Sequence, residues 1–249
     1  VWGVGGRRGE DEACGAVLGD SETDREDGHR KVLASLRAGM DDRVPSGLRS
    51  DAWVIKQNAL RLLAALHAFA DRFAGPRAAN LARRVEARVE HGVPRNAVGL
   101  TAVDGIGPTR ARTLATGGLH SPADVVDAGA AELRRAGLSE GVAERIVENA
   151  RSFPSIDVSW GAFPDAIAPG DSRMCEVAVR NAGGGASVGL RVTVNGVEMT
   201  ATETYLSDSA TLPVGVFGAD ADELEFAVEV TFPDAPLHPV RATRTVAVE

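Results

Sequence analysis

Residues 100–114, LTAVDGIGPTRARTL, contain the feature on which the expected fold depends most. Gly105 and Gly107 flank one apolar residue, Ile106, and a proline follows at once. Because glycine adopts positive φ at little cost, the two glycines predict a sharp turn between two helices. Pro108 fits the first position of the second helix, where the N–H that proline lacks would have no partner. Ile106 is expected to point inward and fix the turn to a core.

The pattern around this turn resembles the helix-hairpin-helix motif. Its positions are filled by Leu100, Val103, Gly105, Ile106, Gly107, Ala111 and Leu114. In such a turn, exposed main-chain N–H groups and the positive end of the second helix can hold a backbone phosphate without reading bases. The predicted nucleic-acid-binding residues are Gly105, Ile106, Gly107, Thr109, Arg110 and Arg112. The alternative is a turn that only packs two helices and binds nothing.

A second, looser hairpin is a weaker possibility over residues 134–150, RRAGLSEGVAERIVENA. Gly137, Leu138 and Gly141 stand in positions related to those of the first turn. The alternative is an ordinary helix pair that completes a small domain.

A long helix is predicted upstream, over residues 51–73. One face carries apolar side chains at helical spacing and is expected to be buried. It consists of Ile55, Ala59, Leu62, Leu66, Phe69 and Phe73. Another face is polar and small, and consists of Trp53, Gln57, Arg61, Ala65, Ala68 and Arg72. An aromatic ring, an amide and two arginines suit contact with a single nucleic-acid strand; the alternative is a solvated face with Trp53 tucked into a bundle.

Composition divides the chain into four parts. Residues 1–29 are rich in Gly, Asp and Glu without periodicity, and are expected to be disordered or non-native. Residues 30–98 predict a helical bundle, and residues 99–152 predict a helix-hairpin-helix domain. Residues 153–249 form the fourth part.

That fourth part alternates apolar and polar side chains in short segments that predict six or seven strands, and Asn195-Gly196 is a hairpin-turn signal. The segments are residues 155–160, 174–181, 188–199, 200–206, 223–232 and 240–249. This texture predicts an immunoglobulin-like β-sandwich. The expected fold class is multi-domain α + β, with an all-α helical bundle and helix-hairpin-helix followed by an all-β sandwich.

The formal net charge of −8 is unevenly distributed. Residues 1–52 carry −3, residues 53–152 carry +4 and residues 153–249 carry −9. A basic middle between acidic flanks indicates a local contact with a polyanion. The charge of the sandwich argues against nucleic-acid contact there.

A wider resemblance covers roughly residues 31–249. The stretches that carry it are DAWVIKQNALRLL at 51–63, the glycine turn, and FPSIDVSW at 153–160. Their order resembles the C-terminal accessory region of archaeal superfamily-2 DEAD/DEAH-type DNA/RNA helicases, and is similar to both archaeal repair helicases and the spliceosomal unwinding helicase.

The helicase resemblance implies an accessory of an ATP-driven 3′-to-5′ motor. Helix 51–73 would correspond to the family's ratchet helix, which touches the translocating strand, and would do so through Trp53, Gln57, Arg61 and Arg72. The glycine turn would hold the emerging strand. Archaeal repair relatives tend to place a tryptophan at the position of Arg61, so QNALRLL is closer to the spliceosomal branch.

The motor itself is not expected in this sequence, which contains no GxxxxGK[ST] phosphate loop. No catalytic constellation and no metal-ligand spacing stand out, so ATP and Mg²⁺ are implied only for the missing motor. The expected partners are single-stranded or forked DNA or RNA, and helicase motor domains or other proteins bound by the sandwich. No membrane partner is expected.

A cytoplasmic location is expected from two distant cysteines, Cys14 and Cys175, and from the lack of a signal-peptide pattern. The valine at position 1 predicts a fragment. Two other functions stay open. The chain could be a protein-interaction scaffold with a purely structural hairpin, or, less well supported, an extracellular sandwich adhesin.

Overall fold

The computed structural model describes residues 13–14, 16–18, 27–218 and 221–249. Its helical half, over residues 27–150, contains six α-helices, and these are α1 Asp27–Met40, α2 Arg49–Phe73, α3 Pro76–His91, α4 Pro108–Thr116, α5 Pro122–Arg135 and α6 Glu140–Ala150. Two 3₁₀ helices, Ser46–Leu48 and Arg95–Ala102, connect them.

Part of the N-terminal segment is ordered, which differs from the expectation for residues 1–29. Residues 13–14 and 16–18 are helical, and Cys14 and Leu18 are buried against Ala34 and Leu48. The apolar side chains of this short segment are spaced so that they lie on one helical face, and that face packs against α1 and the following 3₁₀ helix. Residues 1–12, 15 and 19–26, to which the expectation of disorder also applied, lie outside the described residues.

Helices α2 and α3 form an antiparallel pair joined at Gly75, whose φ of +80° allows the chain to reverse. The predicted burial of the apolar face of α2 is wrong. Only Ala59 of that face is buried, and Ile55 is half-buried. The other four large side chains are between 51% and 72% exposed: Leu62, Leu66, Phe69 and Phe73.

The inward face of the helix is instead the one that contains Ala59 and Ala70, and Leu63 and His67 are half-buried on the same face. Helical periodicity shows which residues share a face, but the neighbouring elements decide which face is covered. Here α2 packs mainly against α3, so most of its circumference stays exposed. Every residue of the predicted polar face is exposed, including Trp53.

The C-terminal half is a sandwich of two sheets. Its strands are β1 Ile156–Ser159, β2 Ala166–Ile167, β3 Ser172–Asn181, β4 Ala186–Val194, β5 Val197–Leu206, β6 Ser209–Phe217, β7 Glu223–Thr231 and β8 Val240–Val248. One sheet has the order β1-β3-β6 and the other β2-β8-β7-β4-β5. All pairs are antiparallel except β2 with β8.

Between the sheets, alternate side chains form one apolar core that is centred on Phe226. Phe163 packs edge-on against Phe226 at 5.3 Å and against Trp160 at 5.1 Å between ring centroids. Asn195 and Gly196 both have positive φ, 46° and 79°, and connect β4 to β5 as the predicted hairpin turn. The predicted fold class is confirmed.

Strand β6 does not appear among the segments predicted as strands. Its sequence, SATLPVGVF, contains Pro213 and Gly215, and both residues weaken a strand pattern. The structure places β6 at the edge of the three-stranded sheet. An edge strand has a neighbour on one side only, so a proline, which has no N–H, is tolerated there.

The two halves of the chain are joined at one buried amide. Asn80, in α3, is fully buried, and its Nδ2 donates towards the carbonyl oxygens of Phe232, Ala235 and Leu237 at 2.8, 3.1 and 3.0 Å. These carbonyls belong to the connection between β7 and β8. Two N–H bonds serve three acceptors, so one of these hydrogen bonds is shared.

Other contacts surround this amide. Pro76, at the start of α3, packs on Gly189 of β4 so closely that a Cβ at position 189 would collide with it. A ring nitrogen of His67 in α2 lies 2.9 Å from the carbonyl oxygen of Pro233. The helical half is therefore seated on the five-stranded sheet by packing and by hydrogen bonds to the β7–β8 connection.

Replacing Asn80 by Asp should destabilise the protein strongly. The two side chains have the same shape, but Asp turns an acceptor towards three carbonyl oxygens and buries a carboxyl group among them. We expect the free energy of unfolding to fall by about 3 kcal/mol. Urea denaturation measures this change, and the same substitution at the exposed Asn96 is the matched control, expected to stay within about 0.5 kcal/mol of the parent. Equal unfolding midpoints for the two variants would contradict the role of Asn80.

His238 makes the same junction sensitive to pH. Its Nε2 lies 2.9 Å from the carbonyl oxygen of Arg95, and its Nδ1 lies 3.1 Å from Nη1 of Arg84. Burial lowers the pKa of His238 below its ordinary value of 6.5, and the positive charges of Arg84 and Arg95, with His120, act in the same direction. The ring is thus neutral, with Nδ1 accepting from Arg84 and Nε2–H donating to Arg95.

The stability contributed by this neutral ring should be fully present above pH 6.5 and should be lost as the pH falls below it. In that range the unfolded chain binds a proton that the folded chain excludes, until the pH reaches the lower pKa of the folded state. We expect Tm to fall less between about pH 7.5 and 5.5 in His238→Gln than in the parent. Parallel Tm curves for the two proteins would contradict this assignment.

Candidate nucleic-acid interface

The glycine turn connects the 3₁₀ helix Arg95–Ala102 to α4. The N–H of Val103 donates to the carbonyl of Leu100 at 3.1 Å, and the N–H of Ile106 donates to the carbonyl of Val103 at 3.0 Å. Val103 and Ile106 are both buried in the core formed by α4, α5 and α6. Ile106 therefore holds the turn in place as predicted, and its side chain cannot reach a ligand.

The turn needs positive φ as predicted, but only one of its two glycines supplies it. Gly105 has a φ of +90°, and a Cβ there would lie 3.2 Å from Cγ1 of Ile146. Gly107 is extended, with φ −77° and ψ 175°, and a Cβ there would meet nothing within 4 Å. Gly105 is needed for the turn, whereas Gly107 leaves open space at the start of α4.

The first turn of α4 is left open to an anion. Pro108 occupies its first position, no side chain of the described residues caps it, and no acidic residue lies in it. The next helix differs, because Ser121 and Asp124 form a reciprocal capping box at the start of α5. Uncapped main-chain N–H groups and the positive helix end favour a negative charge beside Gly107.

The two arginines of α4 have different surroundings. Arg110 is exposed, and its Nη1 donates to the carbonyl of Gly105 at 2.7 Å, which holds the guanidinium beside the turn. Arg112 donates from Nη1 to the carbonyl of Gly92 at 2.6 Å and from Nη2 to Oδ2 of Asp42 at 2.8 Å. Arg112 therefore joins α4 to the helical bundle, and Arg110 is the arginine available near the turn.

A second hairpin follows the first at a constant offset. Gly137, with a φ of +95°, takes the place of Gly105, while the buried Ala143 and Ile146 take the places of Ala111 and Leu114. Its helix start is more acidic, because Ser139 and Glu140 replace Gly107 and Pro108. The side chain of Ser139 does not cap this helix.

A groove of about 230 Å³ lies between α4 and the second turn. It is lined by Thr109, Arg110, Thr113, Ala136, Gly137, Leu138, Ser139 and Val142. Sequence spacing alone did not show that Thr109 and Arg110 line the same groove as Ser139, although the repeated glycine and alanine positions are a signal that could have indicated it.

Residues 98–152 match the family model of the SAM-like helix-hairpin-helix tandem. This stretch contains both turns, so we refer to it as the tandem. Among curated proteins, none matches the chain.

Solved structures with similarity to the chain match a minor part of it. The CARDB domain of the PF1109 protein from Pyrococcus furiosus, solved in complex with di-metal ions, is 22% identical over 39% of this chain and 90% of that one, with a TM-score of 0.34. A β-glucosidase from Listeria innocua in complex with glucose is 12% identical over 38% of this chain and 16% of that one, with a TM-score of 0.23.

The predicted residues of α2 are spread along the helix and do not lie together at one point. Lys56 donates to the carbonyl of Glu90 at 2.8 Å, so Trp53 and Gln57 lie at the end of α2 that is next to the C-terminus of α3. Arg72 lies about 28 Å further along the helix, given its rise per residue, with its guanidinium 5.8 Å from the ring centre of Phe73. Arg61 is bonded to Oδ1 of Asn58 at 2.5 Å.

Two further observations concern metal binding and membrane insertion. In the described part of the chain, no group of three or more His, Cys, Asp and Glu side chains is arranged to hold a metal ion. No helix of that part is both long and apolar enough to cross a membrane.

The two glycines should respond differently to substitution by alanine. Gly105→Ala forces positive φ on a residue with a Cβ and crowds Ile146, so we expect a loss of about 2 kcal/mol in the free energy of unfolding. Gly107→Ala should cost about 1 kcal/mol or less, because its φ is ordinary and only a weaker N-cap residue is introduced. Chemical denaturation of both variants measures the difference, and equal losses would contradict the geometry of the turn.

Proposed function

We propose that the tandem binds the phosphate backbone of nucleic acid at the start of α4 and reads no bases. The observation that carries this proposal is the uncapped first turn of α4, with Gly107 leaving space beside it and the exposed Arg110 held over the turn. These features provide N–H donors, a helix dipole and a cation for one phosphate. Helix-hairpin-helix turns are suited to such backbone contacts.

The sequence resemblance supports a finer form of this proposal. In it, the chain is an accessory of an ATP-dependent 3′-to-5′ helicase, the tandem grips a single strand, and Trp53, Gln57, Arg61 and Arg72 of α2 line the strand's path. ATP and Mg²⁺ belong to the motor, and the sandwich contacts the motor domains or another protein. The exposure of all four α2 residues is compatible with this role.

Arg112 has a different place in the proposal from the one that the sequence indicated. Its guanidinium is engaged by Gly92 and Asp42, so it fixes the tandem on the helical bundle. The phosphate contact is assigned to Arg110 and to the main chain.

A protein-interaction scaffold is the second candidate function. One observation favours it: the exposed apolar side chains of α2, which include Phe69 and Phe73 with ring centroids 4.9 Å apart. Large apolar side chains clustered on a surface are typical of protein-binding faces.

The substitution Gly107→Asp tests nucleic-acid binding directly. Aspartate is a favoured N-cap residue, so it should raise the free energy of unfolding by about 1 kcal/mol while placing a carboxylate where the phosphate would lie. We expect the affinity for a fluorescently labelled single strand to fall by at least about tenfold in anisotropy titrations, as loss of a charge-assisted contact would produce. Gly107→Asn is the matched control, because it caps the helix without adding charge and should lose less affinity.

The two arginines supply a second control within the same experiment. Arg110→Gln should flatten the dependence of log affinity on log salt by about 0.7 for a single strand, the value of one lost phosphate contact. Arg112→Gln should leave that slope unchanged. Sequences of different composition should bind equally. If Gly107→Asp is folded and binds as tightly as the parent, the start of α4 is not the nucleic-acid site. If the parent itself binds no strand at low salt, the scaffold function is favoured.

A further inference from the structure

A basic groove lies between the helical half and the sandwich, away from the glycine turn. Its volume is about 670 Å³, and no residue of the turn or of α4 lines it. Its charged and titratable lining consists of Arg77 and Arg84 of α3, Arg95 at the start of the 3₁₀ helix, Glu229 of β7, and His238 and Arg241 of the β7–β8 region.

Negative charge is scarce in this groove. Glu229 is the single carboxylate among the described residues that line it, and Oε1 of Glu229 lies 3.2 Å from Nε of Arg77. Arg241 is the register partner of Glu229 across β7 and β8. Among the described residues, Arg84, Arg95 and Arg241 form no ion pair, so three guanidinium groups line a groove whose carboxylate is already paired with a fourth.

The surroundings of the Arg84 guanidinium are electrostatically unfavourable. Burial lowers the pKa of Arg84, and the positive charges of Arg95 and Arg88 lower it further, while the negative charge of Glu229 opposes this shift in part. Its Nη1 donates to the neutral His238, which contributes no negative charge, and its Nε is buried with no acceptor among the residues that the structure describes. Like charges held together in this way are stabilised when an anion binds between them.

We propose that this groove binds a phosphate group of a larger compound. Guanidinium groups match the geometry of phosphate oxygens, and several arginines around one groove are the usual means of binding this anion. The volume exceeds what a single phosphate fills, so the group belongs to a phosphorylated small molecule or to a polynucleotide backbone. The arginines come from α3, the 3₁₀ helix and β8, so the bound phosphate also ties the helical half to the sandwich.

The groove is separate from α4, and the proposal therefore stands whether or not the tandem binds nucleic acid. The test uses the full chain with pyrophosphate as the probe, followed by thermal unfolding and by calorimetric titration. Against sodium chloride of equal ionic strength, pyrophosphate should raise Tm of the parent by several degrees, since binding to the folded state alone stabilises it.

The variant Arg95→Gln/Arg241→Gln should lose this rise in Tm and at least about tenfold in pyrophosphate affinity, as removal of two charge-assisted contacts would produce. Both side chains are exposed, so the substitutions leave the core packing unchanged. The control is Arg173→Gln/Arg180→Gln, which removes two exposed arginines of β3 and should keep the full rise.

An oligonucleotide arm distinguishes the two sources of phosphate. In the background of Gly107→Asp, loss of the two groove arginines should flatten the salt dependence of single-strand binding by about 1.4 if the occupant is a polynucleotide. An unchanged slope with a lost response to pyrophosphate assigns the groove to a small phosphorylated compound. The proposal is overturned if Arg95→Gln/Arg241→Gln responds as the parent does to both probes.

Discussion

The buried amide of Asn80 is the interaction on which the arrangement of the two halves depends. The connection between β7 and β8 leaves the sheet, so the carbonyls of Phe232, Ala235 and Leu237 need donors from elsewhere, and a single side chain from α3 supplies them. Because α3 is fixed there, its first residue, Pro76, packs on Gly189. Arg77 and Arg84 of the same helix then line the groove beside the strands. The basic groove is a consequence of this seating.

Local chemistry made much of the fold predictable from sequence. Gly105, Pro108 and the Asn195-Gly196 pair each have a backbone requirement that few other residues meet, and the structure shows the turn, helix start and hairpin that they indicate. Strict alternation marked the buried strands in the same way. Strand β6 was missed because Pro213 and Gly215 oppose the pattern, and only its edge position makes them acceptable.

What sequence spacing could not show are contacts between distant residues. Asn80 and Leu237 are 157 positions apart, and Arg84 and His238 are 154 apart, so no local pattern links them. The same limit applies to Arg110 and Arg112, which look equivalent on a helix until Asp42 and Gly92 are seen to engage one of them. The exposed apolar face of α2 has a related origin, since periodicity does not reveal how many neighbours a helix has.

The difference between the two hairpins has a consequence for the behaviour of a bound strand. The main-chain N–H groups are uncapped at both helix starts, but the second start carries the acidic Glu140, which disfavours a phosphate there. Under the proposed function, a strand held at the first start alone has a single anchor, so it can rotate about that contact and is released when that contact is lost. We therefore expect short residence times at the tandem if it binds a strand.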